Sequence, residues 1–304
     1  MLRDDIERYV ALYRATGLKF NKQANDLRRF AEFAADREEQ VVRTATVLDW
    51  AAQAPSRAQR VWLLGVVRRF ATTMKAEEPR HEIPPVAAFG RARPPRRRPH
   101  IFTREEVRQL LAAAAALPPV DSLRPMTYAT LFALLASTGL RIGEALALKL
   151  DDLTPPGLLI RDGKFGKSRL VPLHVSVREG LQRYISRRTH RECGHQALFA
   201  SYYGTPLRYP TVVWVFLGLV RSLGLHPGPG RPGPRIHDLR HTFAVRSLEQ
   251  CAAGRAAVER HMLALSTYIG HAHVEDTYWY LEATPVLLAD IAAAGEALHV
   301  GGES

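Results

Sequence analysis

Apolar residues recur every three or four positions through the first eighty residues, the spacing of helices with one buried face. Ile6, Val10 and Tyr13 form one stripe, Leu27, Phe30 and Phe33 a second, and Val47, Leu48 and Trp50 a third. A fourth helix begins at Ser56, which stands three residues ahead of Gln59 in capping-box spacing. Val61, Leu64, Val67 and Phe70 then line one face before Pro79. Four short amphipathic helices predict a small helical bundle over residues 1–83.

The pattern breaks at residues 84–100. There PPVAAFGRARPPRRRP blocks helix with its prolines and carries arginines at 91, 93, 96, 97 and 98. The run predicts a basic linker between two domains, and Arg96, Arg97 and Arg98 are candidates for tracking phosphates.

Periodicity resumes in residues 101–304. Thr103 and Glu106 have capping-box spacing ahead of an Ala-rich helix containing Leu110. Residues 128–138 are apolar on nearly all sides, predicting a buried helix that ends at Gly139. A helix over 142–148 leads into LLIRDGKFGKSRLVPL, two β-type runs around a turn rich in Gly and Lys, which reads as a hairpin. Helices follow at about 175–188 and 211–223, then a Pro- and Gly-rich loop over 226–235. From Leu239 onward the chain reads as helical, with a break near Pro285. Fold class is therefore mainly α, with a small β-hairpin or sheet in the second domain.

Composition narrows the class of partner. The 304 residues include 42 Lys and Arg against 30 Asp and Glu, a formal charge of +12, which favours a polyanion such as nucleic acid. Cys193 and Cys251 cannot build a disulfide framework or a thiolate zinc site. The N-terminus carries acidic residues where a signal peptide would be basic and then apolar, and no apolar run spans a bilayer. These features point to the cytoplasm and, with a nucleic-acid partner, the nucleoid.

Four stretches hold polar residues in settings that suggest chemistry: TGLRIGEAL with Arg141, RDGKFGKSRLVPL with Lys164, HDLRHTFAV with His237 and Arg240, and STYIGHAHVEDTYWYL with His271 and Tyr280. In order and spacing they resemble the catalytic domain of the tyrosine recombinases, the phage integrases and Xer proteins, over about residues 100–285. The helical N-terminal part is similar in architecture to that family's SAM-like core-binding domain. The resemblance implies that Arg141 and Arg240 bind the scissile phosphate, that Lys164 is the lysine of the β-hairpin, and that His237 and Arg240 form the His-x-x-Arg pair. His271 then belongs to the Gly-His motif, and Tyr280, nine residues beyond it, is the nucleophile.

That residue set suits phosphoryl transfer. Attack of a phenol oxygen on a phosphodiester builds charge on the nonbridging oxygens, and guanidinium forks can hold two of them at once. His237 is the candidate base for the phenol proton and Lys164 the candidate acid for the leaving 5′ oxygen. A 3′ phosphotyrosine conserves the bond energy, so neither a metal nor ATP nor another cofactor is needed.

Each position has a rival. Lys167 shares the turn with Lys164 and is otherwise a DNA contact. Tyr278 and Tyr268 lie near Tyr280, but spacing from His271 favours Tyr280. His237 and His241 stand four apart, as zinc ligands can, without the carboxylate or cysteine company zinc requires, so His241 reads as a packing or helix-orienting residue. Glu144, three residues after Arg141, reads as its support.

The resemblance further implies double-stranded DNA as partner and a homotetramer on two DNA sites, with a partner recombinase or accessory protein as an option. The amphipathic tail after Pro285 either docks on a neighbouring protomer or packs on its own chain. A chain without an extra N-terminal arm-binding domain reads as Xer-like or transposon-borne. Site-specific recombination is the expected function. A type IB topoisomerase and a noncatalytic DNA-binding accessory protein are the alternatives.

Overall fold

The structure is a computed structural model and describes residues 2–90, 97–161, 168–189, 194–228, 230–251, 255–270 and 280. The chain divides into two compact units, Met1–Arg97 and Arg98–Ser304.

The first unit holds α1 (Leu2–Ala15), α2 (Asn21–Ala35), α3 (Thr44–Ala52) and α4 (Arg57–Met74). Their apolar stripes converge, and Ile6, Leu27, Phe30, Val47, Leu64, Val67 and Phe70 are buried in one cluster. Burial of each large side chain contributes about 1.5–3 kcal/mol. Ser56 Oγ accepts from the Gln59 N–H at 3.2 Å and so starts α4. Beyond α4 the chain returns to this core. His81 Nδ1 accepts from the Val42 N–H at 3.0 Å, and the Phe89 carbonyl accepts from Arg57 Nε at 2.7 Å.

The second unit comprises α5 (Arg104–Ala115), α6 (Arg124–Thr138), α7 (Ile142–Ala147), β1 (Leu153–Thr154), β2 (Gly157–Ile160), β3 (Arg169–Val171), α8 (Val175–Thr189), α9 (Tyr209–Ser222), α10 (Asp238–Glu249) and α11 (Arg255–Ile269). Thr103 and Glu106 close the full capping box at the start of α5: Thr103 Oγ1 accepts from the Glu106 N–H, and the Glu106 carboxylate accepts from the Thr103 N–H. The all-round apolar α6 is the hub, packed against α5, α8 and α10, which is why it needs no polar face.

Gly139 ends α6 in the left-handed region, φ 61°, where a Cβ would come within 2.5 Å of the Phe243 ring. That turn sets Arg141 at the N-cap of α7. The sheet is antiparallel, in the order β1-β2-β3, with Leu153 opposite Leu158 and Ile160 opposite Arg169. The predicted hairpin is thus present as β2 and β3, and a two-residue strand too short to leave a periodic signal joins its edge.

The backbone of Phe102 seats α10: its N–H donates to Thr242 Oγ1 at 2.9 Å and its carbonyl accepts from Arg246 Nη2 at 2.6 Å. The fold is that expected, mainly helical with a small sheet. No helix among the described residues is long and apolar enough to cross a membrane.

Candidate active site

The turn after Gly139 and the first turn of α10 bring their polar residues together. Arg240 is 2% exposed, a rare environment for an arginine, and its Nη1 donates to the Gly139 carbonyl at 2.7 Å. Its buried Nη2 has no hydrogen-bond partner among the described residues. An unpaired buried donor costs free energy, so its retention points to a ligand that supplies the acceptor. Burial and the neighbouring charge of Arg141 lower the Arg240 pKa to about 10, while Tyr280 and Glu144 favour its charged form. It remains a cation at neutral pH.

Tyr280, 2% exposed, packs with Ala244, Val245, Leu248, Met262, Leu265 and Ile269, and its phenol lies near enough to Arg240 to favour the charged guanidinium. A guanidinium beside a phenol favours the phenolate. His241 fills the space between Tyr280 and His237, its ring centroid 5.4 Å from the first and 4.7 Å from the second. Of the packing and helix-orienting roles the sequence left open for His241, these ring contacts fit packing.

His237 sits at the N-cap of α10 and is exposed to solvent. The surrounding protein first, then Arg240, Arg235 and Arg141, hold its pKa down at about 4 against the opposing pull of Asp238. Exposure weakens the effect of burial, but the three arginines act in the same direction. The imidazole is neutral at pH 7 and able to accept a proton.

Arg141 donates from Nη1 to Glu144 Oε1 at 2.8 Å and from Nη2 to the Gly270 carbonyl at 2.8 Å. On the far side of Glu144 lies Arg169, whose Nη1 and Nη2 donate to the two carboxylate oxygens at 3.1 and 2.8 Å. Burial pushes the Glu144 pKa up, but Arg169 and then Arg141 more than offset it and leave it at about 2. Arg169 escaped the sequence reading because nothing local ties it to Glu144.

Arg141, His237, Arg240 and Tyr280 thus meet in one place. Arg97 is the last residue of the first unit and Arg98 the first of the second. Lys164, Lys167, His271 and Arg96 lie outside the described residues, as do Cys193, Tyr278 and the tail after Pro285. Among the described residues no three His, Cys, Asp or Glu side chains are grouped to hold a metal ion.

Residues 100–285 match the model of the phage integrase family. The chain belongs to that family. It is therefore a tyrosine recombinase, an enzyme that breaks and rejoins DNA strands in site-specific recombination. The Sinorhizobium fredii protein y4rB, named as an integrase/recombinase, is 40% identical to this tyrosine recombinase over 300 residues, covering 95% of each chain. In fold it is similar to a lambda integrase tetramer bound to a Holliday junction, with TM-score 0.65, 18% identity, and coverage of 92% of this chain and 76% of that one. It is also similar to the XerH site-specific recombinase bound to palindromic difH in a post-cleavage complex, with TM-score 0.66, 18% identity, and coverage of 91% and 79%.

Proposed function

We propose that this recombinase moves a mobile element by exchanging strands between two specific duplex sites, through a 3′ phosphotyrosine on Tyr280. The observation that carries the reading is the buried Arg240, with one nitrogen paired to Gly139, another unpaired and the Tyr280 phenol beside it.

In this reading Arg141 and Arg240 hold the nonbridging oxygens of the scissile phosphate as negative charge builds there. His237, neutral before the reaction, takes the phenol proton as the Tyr280 oxygen attacks phosphorus. Lys164 gives a proton to the departing 5′ oxygen, and His271 donates a further hydrogen bond to the phosphate. One phosphorus–oxygen bond forms as another breaks, so the reverse attack by a 5′ hydroxyl from a second strand is nearly balanced in energy. The set asks for no metal or other cofactor.

The helical unit within residues 1–83 and the basic stretch with Arg96, Arg97 and Arg98 contribute DNA contacts, as does Lys167, and phosphate contacts dominate the affinity. The lambda integrase and XerH structures that share the fold hold DNA, the former as a tetramer. By analogy the active species here is a homotetramer on two duplex sites, working in the cytoplasm at the nucleoid.

The test is strand exchange. A plasmid carrying two copies of a DNA segment bound by the chain is expected to yield deletion or inversion products whose junctions fall within the segment. Relaxation of supercoils with no exchanged products would support topoisomerase action instead.

A further inference from the structure

Arg169 is the first residue of β3, yet its side chain serves the site rather than the sheet. Besides the Glu144 carboxylate, it reaches the end of α11, with Nε donating to the Tyr268 carbonyl at 2.9 Å and Nη2 to the Ile269 carbonyl at 3.4 Å. Arg141 approaches the same end from the other side and takes the Ile269 and Gly270 carbonyls. Two guanidinium groups thus share one carboxylate and three consecutive carbonyls, at the helix terminus where the backbone dipole is negative. Gly270 is shaped to this arrangement, since a Cβ there would lie 2.6 Å from Arg169 Nη1.

Charge gives the arrangement a purpose. A carboxylate paired with Arg141 alone would cancel the cation meant for DNA. With Arg169 on the other side of Glu144, the trio keeps one net positive charge, and Arg141 is still fixed by its bond to the carboxylate. The Arg169 side chain is 15% exposed and that of Arg141 26%, so Arg141 is the more open of the two cations.

We propose that Arg169 is a positioning residue for DNA cleavage: it takes up the charge of Glu144 and anchors the end of α11, so that Arg141 is held in place with its charge left for the scissile phosphate. This rests on the reading of Arg141 as a phosphate clamp. A lysine at 169 would restore the charge but not the fork that spans carboxylate and carbonyls.

The experiment follows single-turnover formation of the covalent adduct with the full chain in excess over nicked duplexes. These are drawn from a random-sequence pool by retention on the protein. They carry either an ordinary phosphodiester or a methylphosphonate at the cleaved position. The methylphosphonate lacks the charged nonbridging oxygen and so reduces the demand on Arg141. On the phosphodiester, Arg169→Ala is expected to slow cleavage on the order of a hundredfold, and Arg169→Lys about tenfold. Half-saturating protein concentration should stay within about twofold, because one site contact is lost among many phosphate contacts. On the methylphosphonate the gap between Arg169→Ala and the unaltered chain should shrink about tenfold.

A rate within about threefold of the unaltered chain, or an equal loss on both substrates, overturns the proposal, since a structural role alone has no reason to depend on phosphate charge. Where Arg169→Ala shows no cooperative melting, the same comparison with Arg169→Lys decides. Absence of any adduct from the unaltered chain overturns the phosphate-clamp reading and this one with it, whereas an adduct indifferent to residue 169 overturns this one alone.

Discussion

Replacing Glu144 with glutamine keeps the shape of the side chain and removes the charge that two arginines share. The carboxylate accepts from the Arg141 N–H at 3.0 Å, from Arg141 Nη1 at 2.8 Å, and from both terminal nitrogens of Arg169. Its pKa stands at about 2 against an ordinary 4.5. At about 1.4 kcal/mol per pKa unit, this lowering corresponds to about 3 kcal/mol of preference for the ionised form. The Glu144 side chain is 9% exposed, but water reaches Arg141, and screening reduces the working figure to about 2 kcal/mol.

Because the folded pKa lies below the unfolded one, this stability is fully present above pH 4.5 and is lost as pH falls toward 2. Protonated Glu144 leaves the arginines much as glutamine does, so the two proteins should converge at low pH. Urea unfolding at pH 7 should show Glu144→Gln less stable by about 2 kcal/mol, with the gap closing through the acid range. A difference below about 0.5 kcal/mol at pH 7, or one that does not change with pH, would refute the argument that Glu144 acts through its charge.

Gly139→Ala forces a side chain into φ 61° against the Phe243 ring and disturbs the carbonyl that holds Arg240. It should cost about 1–3 kcal/mol in thermal or urea unfolding. The His237 ring, followed by NMR in the free protein, should titrate with a midpoint near 4, and DNA should move it upward because phosphate charge offsets the arginines. A free-protein midpoint at the ordinary histidine value would mean that the cations do not govern it. DNA affinity should fall steeply with salt, about a thousandfold between roughly 50 and 200 mM for a protein touching about six phosphates, whereas a flat dependence would remove phosphate contacts as its main source.

Local signals in the chain translated directly into structure. Ser56, Thr103 with Glu106, and Gly139 announce helix ends through chemistry confined to a few residues, and each stands where the sequence placed it. Arg141, His237 and Arg240 were legible because short motifs carry them, although nothing in those motifs says that Arg240 would be buried or that its bond to Gly139 would join two of them. Arg169 was invisible for a physical reason. Its partner Glu144 is 25 residues away and its other contacts about 100, and a long-range fork leaves no periodic trace in sequence. His241 lay in plain view within HDLRH, but its place between His237 and Tyr280 depends on how α10 meets the chain beyond α11.

Attack of Tyr280 on DNA leaves a product that can be mapped directly. The chain is incubated with nicked duplexes that it binds, in EDTA, then denatured, and the protein–DNA species is digested and mapped by mass spectrometry. The expected product is a phosphotyrosyl nucleotide on Tyr280, with the adduct absent in Tyr280→Phe while DNA binding persists. An adduct on another residue, or one that survives in Tyr280→Phe, would contradict it.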